Sequence, residues 1–310
     1  MFATECSVGE KTMTPEEARD FMVSSGKSNN SVSQLRSIAG LCNAGEFDAA
    51  TLHLPLEQRK IAGDATDQAV LRLSESLGPV RDLQLLWRRT FELAFNSKNK
   101  FMIRTFSLTD PSGLKATLSP GEVEAWKPED LLLTIKGAPD IIIERCTTYV
   151  GEDGNVHPFD PAMKTTIEEI KNKWSSEGKR VILLARKTLP GHQTVHVPNN
   201  NTFEKEIMQQ GSSDLTLVGL IGIVDPPRDE IPGVVRVLRR AGIRIFMVTG
   251  DFKLTAQAIA MECGIITNPP FKVHDISMLS RNPVEPTKES PSASKKDTDL
   301  LDDSPARSIT

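Results

Sequence analysis

The hydrophobic and polar positions of residues 1–214 follow two different periods. Apolar residues three and four apart predict helices over 13–23, 32–45, 64–78, 140–146 and 165–177. Apolar runs predict strands over 101–109, 131–135 and 180–189, and residues 82–95 change from a helical to a strand pattern. These elements show no regular β–α–β order, which favours a largely antiparallel sheet with flanking helices.

Capping residues support the helix boundaries. Thr14 precedes Pro15, which is a favoured residue at the first helical position. Asp64 is an N-cap for the helix that Gly78 ends, and Gly178 follows the helix over 165–177.

The pattern changes at Leu215. Residues 215–224 (LTLVGLIGIV) and 243–248 (IRIFMV) predict buried strands, with helices predicted over 231–242 and 254–264. Strand–helix–strand–helix is the unit of a parallel α/β sheet, so we expect an incomplete Rossmann-like piece here.

Beyond residue 267 the sequence becomes rich in Pro, Ser, Lys and Asp. Such a segment cannot bury enough apolar surface to offset its ordering entropy, so it predicts a disordered tail. The resulting domain hypothesis is a first domain over 1–224, a partial second domain over 225–267 and a tail over 268–310.

Composition narrows the function classes. The 310 residues carry a formal net charge of −4, which gives no reason to expect nucleic acid as a partner. The longest apolar run, 215–224, is about half the length that a helix needs to cross a bilayer. We therefore expect this chain not to span a membrane by itself.

Three short motifs carry candidate chemistry. Lys136-Gly137-Ala138 ends a predicted strand and Pro139 opens a helix; Lys136 could simply point to solvent there, or it could lie at the lip of an anion pocket. In FNSKNK, Phe95 offers a ring for stacking a base and Lys100 a charge for phosphate, although a solvated loop is an equally plain interpretation. Thr249, Gly250 and Asp251 follow a predicted strand, where ligands of α/β sheets bind.

Together the segments 62–71, 93–102, 134–146, 177–185, 218–232 and 241–260 resemble the large cytoplasmic loop of P-type cation-transporting ATPases. The similarity is strongest to the sodium/potassium-pump group and its fungal relatives, and it covers most of residues 60–267. It implies an α+β nucleotide-binding domain followed by part of a phosphorylation domain of the haloacid-dehalogenase type.

The resemblance also implies roles for single residues. Phe95 would stack on adenine, and Lys136, Gly137 and Ala138 would line the pocket. Lys100 would lie near ribose and phosphate, and Arg180 would pair with a phosphate. Asp67 stands where the family usually has glutamate, near the adenine amino group. Thr249, Gly250 and Asp251 would contact the transferred phosphoryl group and its Mg²⁺, while Asp225 would mark the hinge between domains.

Two motifs of the family do not occur in this sequence. The phosphoacceptor string DKTGT and the later GDGxND string are missing, and so are the actuator domain and the membrane helices. Covalent phosphoryl transfer needs the nucleophile and the metal ligands. We expect a chain on the cytoplasmic side that binds ATP with Mg²⁺ without turning it over. Its expected partners are the actuator domain, the remaining phosphorylation domain and the transmembrane helices of the intact pump.

Two alternatives stay open at this point. The chain could be an interaction or regulatory scaffold that has lost nucleotide affinity. It could also be a soluble phosphohydrolase of the haloacid-dehalogenase type, although neither Asp225 nor Asp251 is followed two residues on by Thr or Asp.

Overall fold

The computed structural model describes residues 1–26, 30–191 and 201–268. The described chain forms two compact units, Met1–Pro226 and the unit that begins at Pro227. Apart from Asn268, the predicted disordered tail lies outside the described residues.

The first unit contains eleven described strands. They are β1 (Phe2–Val8), β2 (Lys11–Met13), β3 (Glu46–Phe47), β4 (Ile61–Ala62), β5 (Trp87–Leu93), β6 (Phe101–Leu108), β7 (Leu131–Gly137), β8 (Cys146–Val150), β9 (Val156–Pro158), β10 (Arg180–Leu189) and β11 (Leu215–Val224). Nine of them form one sheet, whose main path runs β2-β1-β11-β10-β7-β6-β5, with β8 and β9 attached to β11. Every pairing in this sheet is antiparallel except that of β8 with β11.

Helices cover both faces of the sheet. The described helices of this unit are α1 (Pro15–Ser25), α2 (Ser31–Leu41), α3 (Ala65–Leu77), α4 (Val80–Leu86), α5 (Ser112–Thr117), α6 (Pro120–Ala125), α7 (Pro139–Ile142), α8 (Pro161–Ser176) and α9 (Asn201–Gln210). Helices α1–α3 pack on one face with Val218 and Leu184, and α7–α9 pack on the other with Leu183 and Leu217. The predicted mostly antiparallel α+β domain is confirmed.

Local sequence signals account for the helix starts. Thr14 accepts from the Glu17 backbone and the Glu17 carboxylate accepts from the Thr14 backbone, which forms a capping box before α1. Asp64 caps α3 through the backbone of Asp67. These caps satisfy backbone donors that a helix cannot satisfy internally.

The predicted strand over 215–224 is confirmed, but the sheet expected around it is wrong. β11 lies between β1 and β10 in the antiparallel sheet, so that Leu220 pairs with Ser7 on one side and Leu183 on the other. Residues 215–223 of this strand are all buried, and β11 has a neighbouring strand on each side.

The second unit contains α10 (Ile231–Arg240) and α11 (Lys253–Glu262) within its described residues. The strand predicted over 243–248 is not formed. A strand needs a hydrogen-bonded neighbour, and β11, the expected one, is paired on both sides within the first unit. The Rossmann-like interpretation of this piece stays a prediction.

Candidate functional site

The candidate site starts at one end of the strands of the large sheet, where β7 ends and β6 begins. Gly137 pairs with Phe101 of β6 and with Leu183 of β10. The Ala138 backbone N–H donates to the Lys100 carbonyl oxygen at 3.0 Å. Hydrogen bonding therefore holds the start of β6 against the Lys136-Gly137-Ala138 motif.

Gly137 is required by the packing of these two strands. A side chain at this position would overlap the Lys100 carbonyl oxygen and lie 2.7 Å from the Phe101 Cα. The resemblance implies that Gly137 lines a ligand pocket, but the space beside its Cα holds the neighbouring strand β6.

Lys136 does not lie at the lip of a pocket, and that expectation is wrong. The residue is only 5% exposed and its ammonium forms an ion pair with Asp67, which is 4% exposed. Lys136 faces the helical layer because β7 alternates its side chains across the sheet, and Asp67 projects from α3 on that side. The second Asp67 oxygen accepts from the Ala44 backbone at 3.1 Å.

This ion pair joins a helix to the sheet beneath it. Taking two charges out of water costs several kcal/mol each, which mutual attraction and further hydrogen bonds offset. Cys42 is buried beside the pair, and burial raises the pKa of its thiol even though the Lys136 charge acts to lower it. The Cys42 thiol is therefore protonated at neutral pH.

Phe95 and Lys100 lie in the loop between β5 and β6. Phe95 is 57% exposed, and Lys100 is exposed with a backbone φ of 60°. The Lys100 backbone N–H donates to the Asn96 carbonyl at 2.8 Å, and the Asn99 N–H donates to the Asn96 side chain. The loop is thus internally bonded, with an aromatic ring presented to solvent.

Arg180 begins β10, three residues before Leu183, which pairs with Gly137 of β7. At about 3.3 Å per residue, its backbone lies roughly 10 Å along the strand from that partner. Its guanidinium is 3.9 Å from the Asp225 carboxylate and 3.7 Å from the Met1 sulfur. A third of the Arg180 side chain is exposed.

A cavity of about 570 Å³ opens on the same side of the sheet as Asp67 and Lys136. Its lining includes Ala44, Ala94, Glu46, Arg89, Glu92 and Arg104. Within the described ranges, none of the ten predicted site residues lines it. Two residues of the cavity lining adjoin predicted site residues. The Ala44 backbone N–H donates to the Asp67 carboxylate, and Ala94 precedes Phe95 in the sequence.

The sequence analysis missed the charged residues of this cavity. Glu92 accepts from Arg89 at 2.8 Å and from Arg104 at 2.6 Å, so one carboxylate joins two arginines. Glu92 and Arg104 are directly opposite each other on β5 and β6. A cross-strand pair of this kind depends on register, which the hydrophobic pattern alone did not provide.

Thr249, Gly250 and Asp251 belong to the second unit. The Thr249 hydroxyl donates to the Asp251 carboxylate at 3.0 Å, and the Asp251 backbone N–H donates to the Thr249 hydroxyl oxygen at 3.1 Å. Both contacts precede α11. No group of three or more His, Cys, Asp or Glu side chains in the described ranges could hold a metal ion.

A family model for P-type ATPases, cytoplasmic domain N, matches residues 31–230. The match covers α2 to β11 and includes Asp67, Phe95, Lys100, Lys136–Ala138 and Arg180. The chain belongs to the P-type cation-transporting ATPase family.

The chain is also similar in sequence to individual P-type ATPases. The chain is 33% identical over 252 residues to potassium-transporting ATPase alpha chain 2 of Homo sapiens, covering 81% of this chain and 22% of that protein. It is 34% identical over 252 residues to the sodium/potassium-transporting ATPase subunit alpha-A of Artemia franciscana, covering 81% and 23%. For subunit alpha-3 of Gallus gallus the identity is 33% over 251 residues, covering 81% and 23%.

The chain therefore spans less than a quarter of the length of these P-type ATPases. The predicted fungal affiliation stays a prediction. Among the helices of the described residues, none is both long and apolar enough to cross a bilayer.

Proposed function

We propose that the first unit, 1–226, binds ATP with Mg²⁺ as the nucleotide-binding part of a P-type cation-transporting ATPase. One observation carries the proposal: the Ala138 backbone N–H donates to the Lys100 carbonyl oxygen, which holds the loop of Phe95 and Lys100 against the end of β7, the strand on which Lys136 pairs with Asp67. Lys100 and Ala138, which are far apart in sequence, thus meet at the ends of β6 and β7.

The predicted site residues fit the chemistry of a nucleotide. An exposed phenyl ring such as that of Phe95 can stack on a purine. The Asp67–Lys136 pair offers an acceptor and a donor together, as the edge of an adenine base requires. Lys100 and Arg180 supply positive charge for the phosphates.

The contact with the base would differ in this chain because residue 67 is aspartate. The resemblance places glutamate here, and aspartate is shorter by one methylene. In the structure the Asp67 carboxylate is bound to Lys136 and to the Ala44 backbone. We propose that the base meets this pair as a unit, and that Lys100 and Arg180 hold the phosphates.

Mg²⁺ would arrive with the nucleotide, since it binds well through phosphate oxygens and a few carboxylates. By resemblance, Thr249, Gly250 and Asp251 would contact the transferred phosphoryl group and the ion in an intact pump. Since the sequence contains neither DKTGT nor GDGxND, we expect binding without hydrolysis. Cation transport, with potassium or sodium as in the names of the relatives, is proposed only for an intact protein.

The test is a calorimetric titration of the full chain with Mg·ATP, with phosphate release followed in parallel. Phe95→Ala is the first variant, because its exposed ring has no role in the core. Loss of stacking should weaken binding by about 1–3 kcal/mol. Lys136→Ala should weaken it by about 1.5–3 kcal/mol if the ammonium contacts the nucleotide.

Lys115→Ala is the matched control, since Lys115 is exposed on α5. Lys136→Ala also leaves the Asp67 carboxylate buried without its cation, so its fold is checked by tryptophan fluorescence before titration. Unchanged affinity in Phe95→Ala would reject the placement of the base, whatever happens to the Lys136 variant.

One observation favours the second candidate, an interaction scaffold without nucleotide affinity. Lys136 is almost fully buried and its charge is already neutralised by Asp67. A ligand would therefore have to break this ion pair or bind beside it. Absence of heat on titration with Mg·ATP, for a chain shown to be folded, would support the scaffold and end the ATP proposal.

A further inference from the structure

Arg104 of β6 contacts two parts of the chain that are far apart in sequence. One terminal nitrogen of its guanidinium lies 2.6 Å from the Glu92 carboxylate of β5, and the other donates to the Leu41 carbonyl oxygen at 3.3 Å. Only 11% of the Arg104 side chain is exposed. A guanidinium presents its donors in a rigid fork, so contacts on two sides fix its position. Arg104 therefore holds the end of α2 against the sheet.

The turn that follows Leu41 carries the contacts to Asp67. The Asn43 side-chain amide donates to the Asp67 carbonyl oxygen at 3.1 Å, and the Ala44 backbone N–H donates to the Asp67 carboxylate at 3.1 Å. The Asn43 side-chain oxygen accepts from the Gly45 N–H at 2.8 Å, which closes the turn. Carbonyl groups at the C-terminal end of a helix have no intrahelical partner and attract positive charge. The place of the Ala44 N–H thus depends on where α2 ends.

The other contact of Arg104 lies next to the loop of Phe95. Glu92 stands three residues before Phe95, on the strand that leads into that loop. One side chain thus touches both the strand that presents the aromatic ring and the helix end that fixes the Asp67 carboxylate. Phe95 and Asp67 are the residues proposed above for the face and the amino edge of the base.

We infer that Arg104 is a positioning residue for the base of the nucleotide. It holds the turn after α2 in the place where the Ala44 N–H orients the Asp67 carboxylate, and so sets a preference for a purine with a 6-amino group. Without Arg104 the carboxylate keeps Lys136 and loses the fixed second contact. An acceptor that is no longer oriented bonds less well to the amino group. This inference rests on the proposed function.

The test compares Mg·ATP with the Mg²⁺ complex of inosine triphosphate, which carries oxygen in place of the 6-amino group. Both are titrated calorimetrically into the full chain, and the ratio of the two Kd values measures the amino contact. Wild type should bind Mg·ATP more tightly. Arg104→Met keeps the apolar length of the side chain and removes its donors. It should lower the preference by about three- to tenfold, the weight of one hydrogen bond.

A purely structural effect would weaken both nucleotides equally, so the ratio separates positioning from stability. Arg88→Met is the matched control, since Arg88 is an exposed arginine of β5 that reaches only the Ser107 hydroxyl, at 3.4 Å. This variant should leave the ratio unchanged. Arg104→Lys keeps the charge but not the fork, so it should restore part of the preference.

Hydrogen exchange without nucleotide gives a second readout. In Arg104→Met the amides of Ala44 and Gly45 should exchange about tenfold faster than in wild type, because the turn is held less firmly. The amides of β11 should exchange as in wild type, which shows that the sheet is intact.

The outcomes separate this inference from the proposed function. A wild type that binds neither nucleotide rejects the proposed function, and the inference falls with it. A wild type that binds both equally, or a ratio that Arg104→Met leaves unchanged, rejects only the inference. Equal weakening of both nucleotides assigns Arg104 to stability alone. If Arg104→Met exposes the β11 amides, Arg104→Lys decides, and a wild-type ratio with wild-type exchange at Ala44 rejects the positioning by Arg104.

Discussion

Residues 215–224 and residues 243–248 have similar apolar sequences and opposite environments. β11 is covered on both faces and hydrogen-bonded to β1 and β10, whereas Phe246 and Val248 are exposed and residues 244–248 have no strand partner in the described chain. The difference teaches that an apolar run specifies the capacity to form a strand. A neighbouring strand decides whether one is formed.

Hydrogen exchange of the full chain should show the largest effect. The amides of β11 should exchange more than about a thousandfold more slowly than those of residues 244–248, after correction for intrinsic rates. The reason is that central strands open only with global unfolding, which costs about 5–15 kcal/mol, while unbonded amides exchange freely. Equal protection of the two segments would contradict the comparison.

The next largest effect is on the free energy of unfolding, and it comes from a buried charge pair in the first unit. Arg186 of β10 is 0% exposed and pairs with Glu122 at 2.5 Å and with the Gln34 side-chain oxygen at 2.8 Å. Glu122→Gln would leave this cation without its carboxylate, at a cost of about 3–5 kcal/mol in the free energy of unfolding. Denaturation is followed by fluorescence, since Trp87, Trp126 and Trp174 all belong to the first unit.

The control is Glu230→Gln at the exposed start of α10, which should change that free energy by less than about 0.5 kcal/mol. Similar losses in the two variants would show that burial of Arg186 does not set the cost.

The same pair predicts a pH dependence. Burial acts to raise the pKa of Glu122, but attraction and hydrogen bonding by Arg186 and hydrogen bonds from Ser119 outweigh it, so the pKa lies below its usual 4.5. The stabilisation is then fully present above pH 4.5 and is lost as the pH falls through the folded-state pKa. The stability difference between wild type and Glu122→Gln should therefore shrink below pH 4.5.

Two glycine substitutions give the smallest effect. An alanine Cβ at Gly219 of β11 would overlap the Ser7 carbonyl oxygen and lie 2.9 Å from Leu35. Gly219→Ala should cost about 1–3 kcal/mol by overpacking. At Gly233 of α10 nothing lies within 4 Å, so Gly233→Ala should be neutral or stabilise the helix by up to about 1 kcal/mol. Chemical denaturation measures both, and a neutral Gly219→Ala would show that β1 and β11 separate easily.

Sequence reasoning succeeded where the cause of a structure is local. The Thr14 cap and the strand over 180–189 are both found at the predicted places, since capping and apolar runs act over a few residues. It failed for the neighbours of β11 and for the burial of Lys136, whose partner Asp67 is 69 residues away. Such pairings depend on topology and register, which short patterns do not specify.

The candidate site shows the same division. The resemblance placed Lys100, Gly137 and Ala138 in one site, and backbone contacts join these three residues in the structure. The arginines around Glu92 were missed because each is ordinary in its own segment, and only the pairing of β5 with β6 brings Arg104 to that carboxylate.

The pairing of β1 with β11 has a consequence for synthesis on the ribosome. Phe2 is opposite Val224, so β1 has no neighbour on this side until the chain has been translated through β11. At about 5–20 residues per second, that interval is roughly 10–40 s. During it Cys6 and Val8, both fully buried in the finished sheet, remain open to chaperones or to a wrong neighbour.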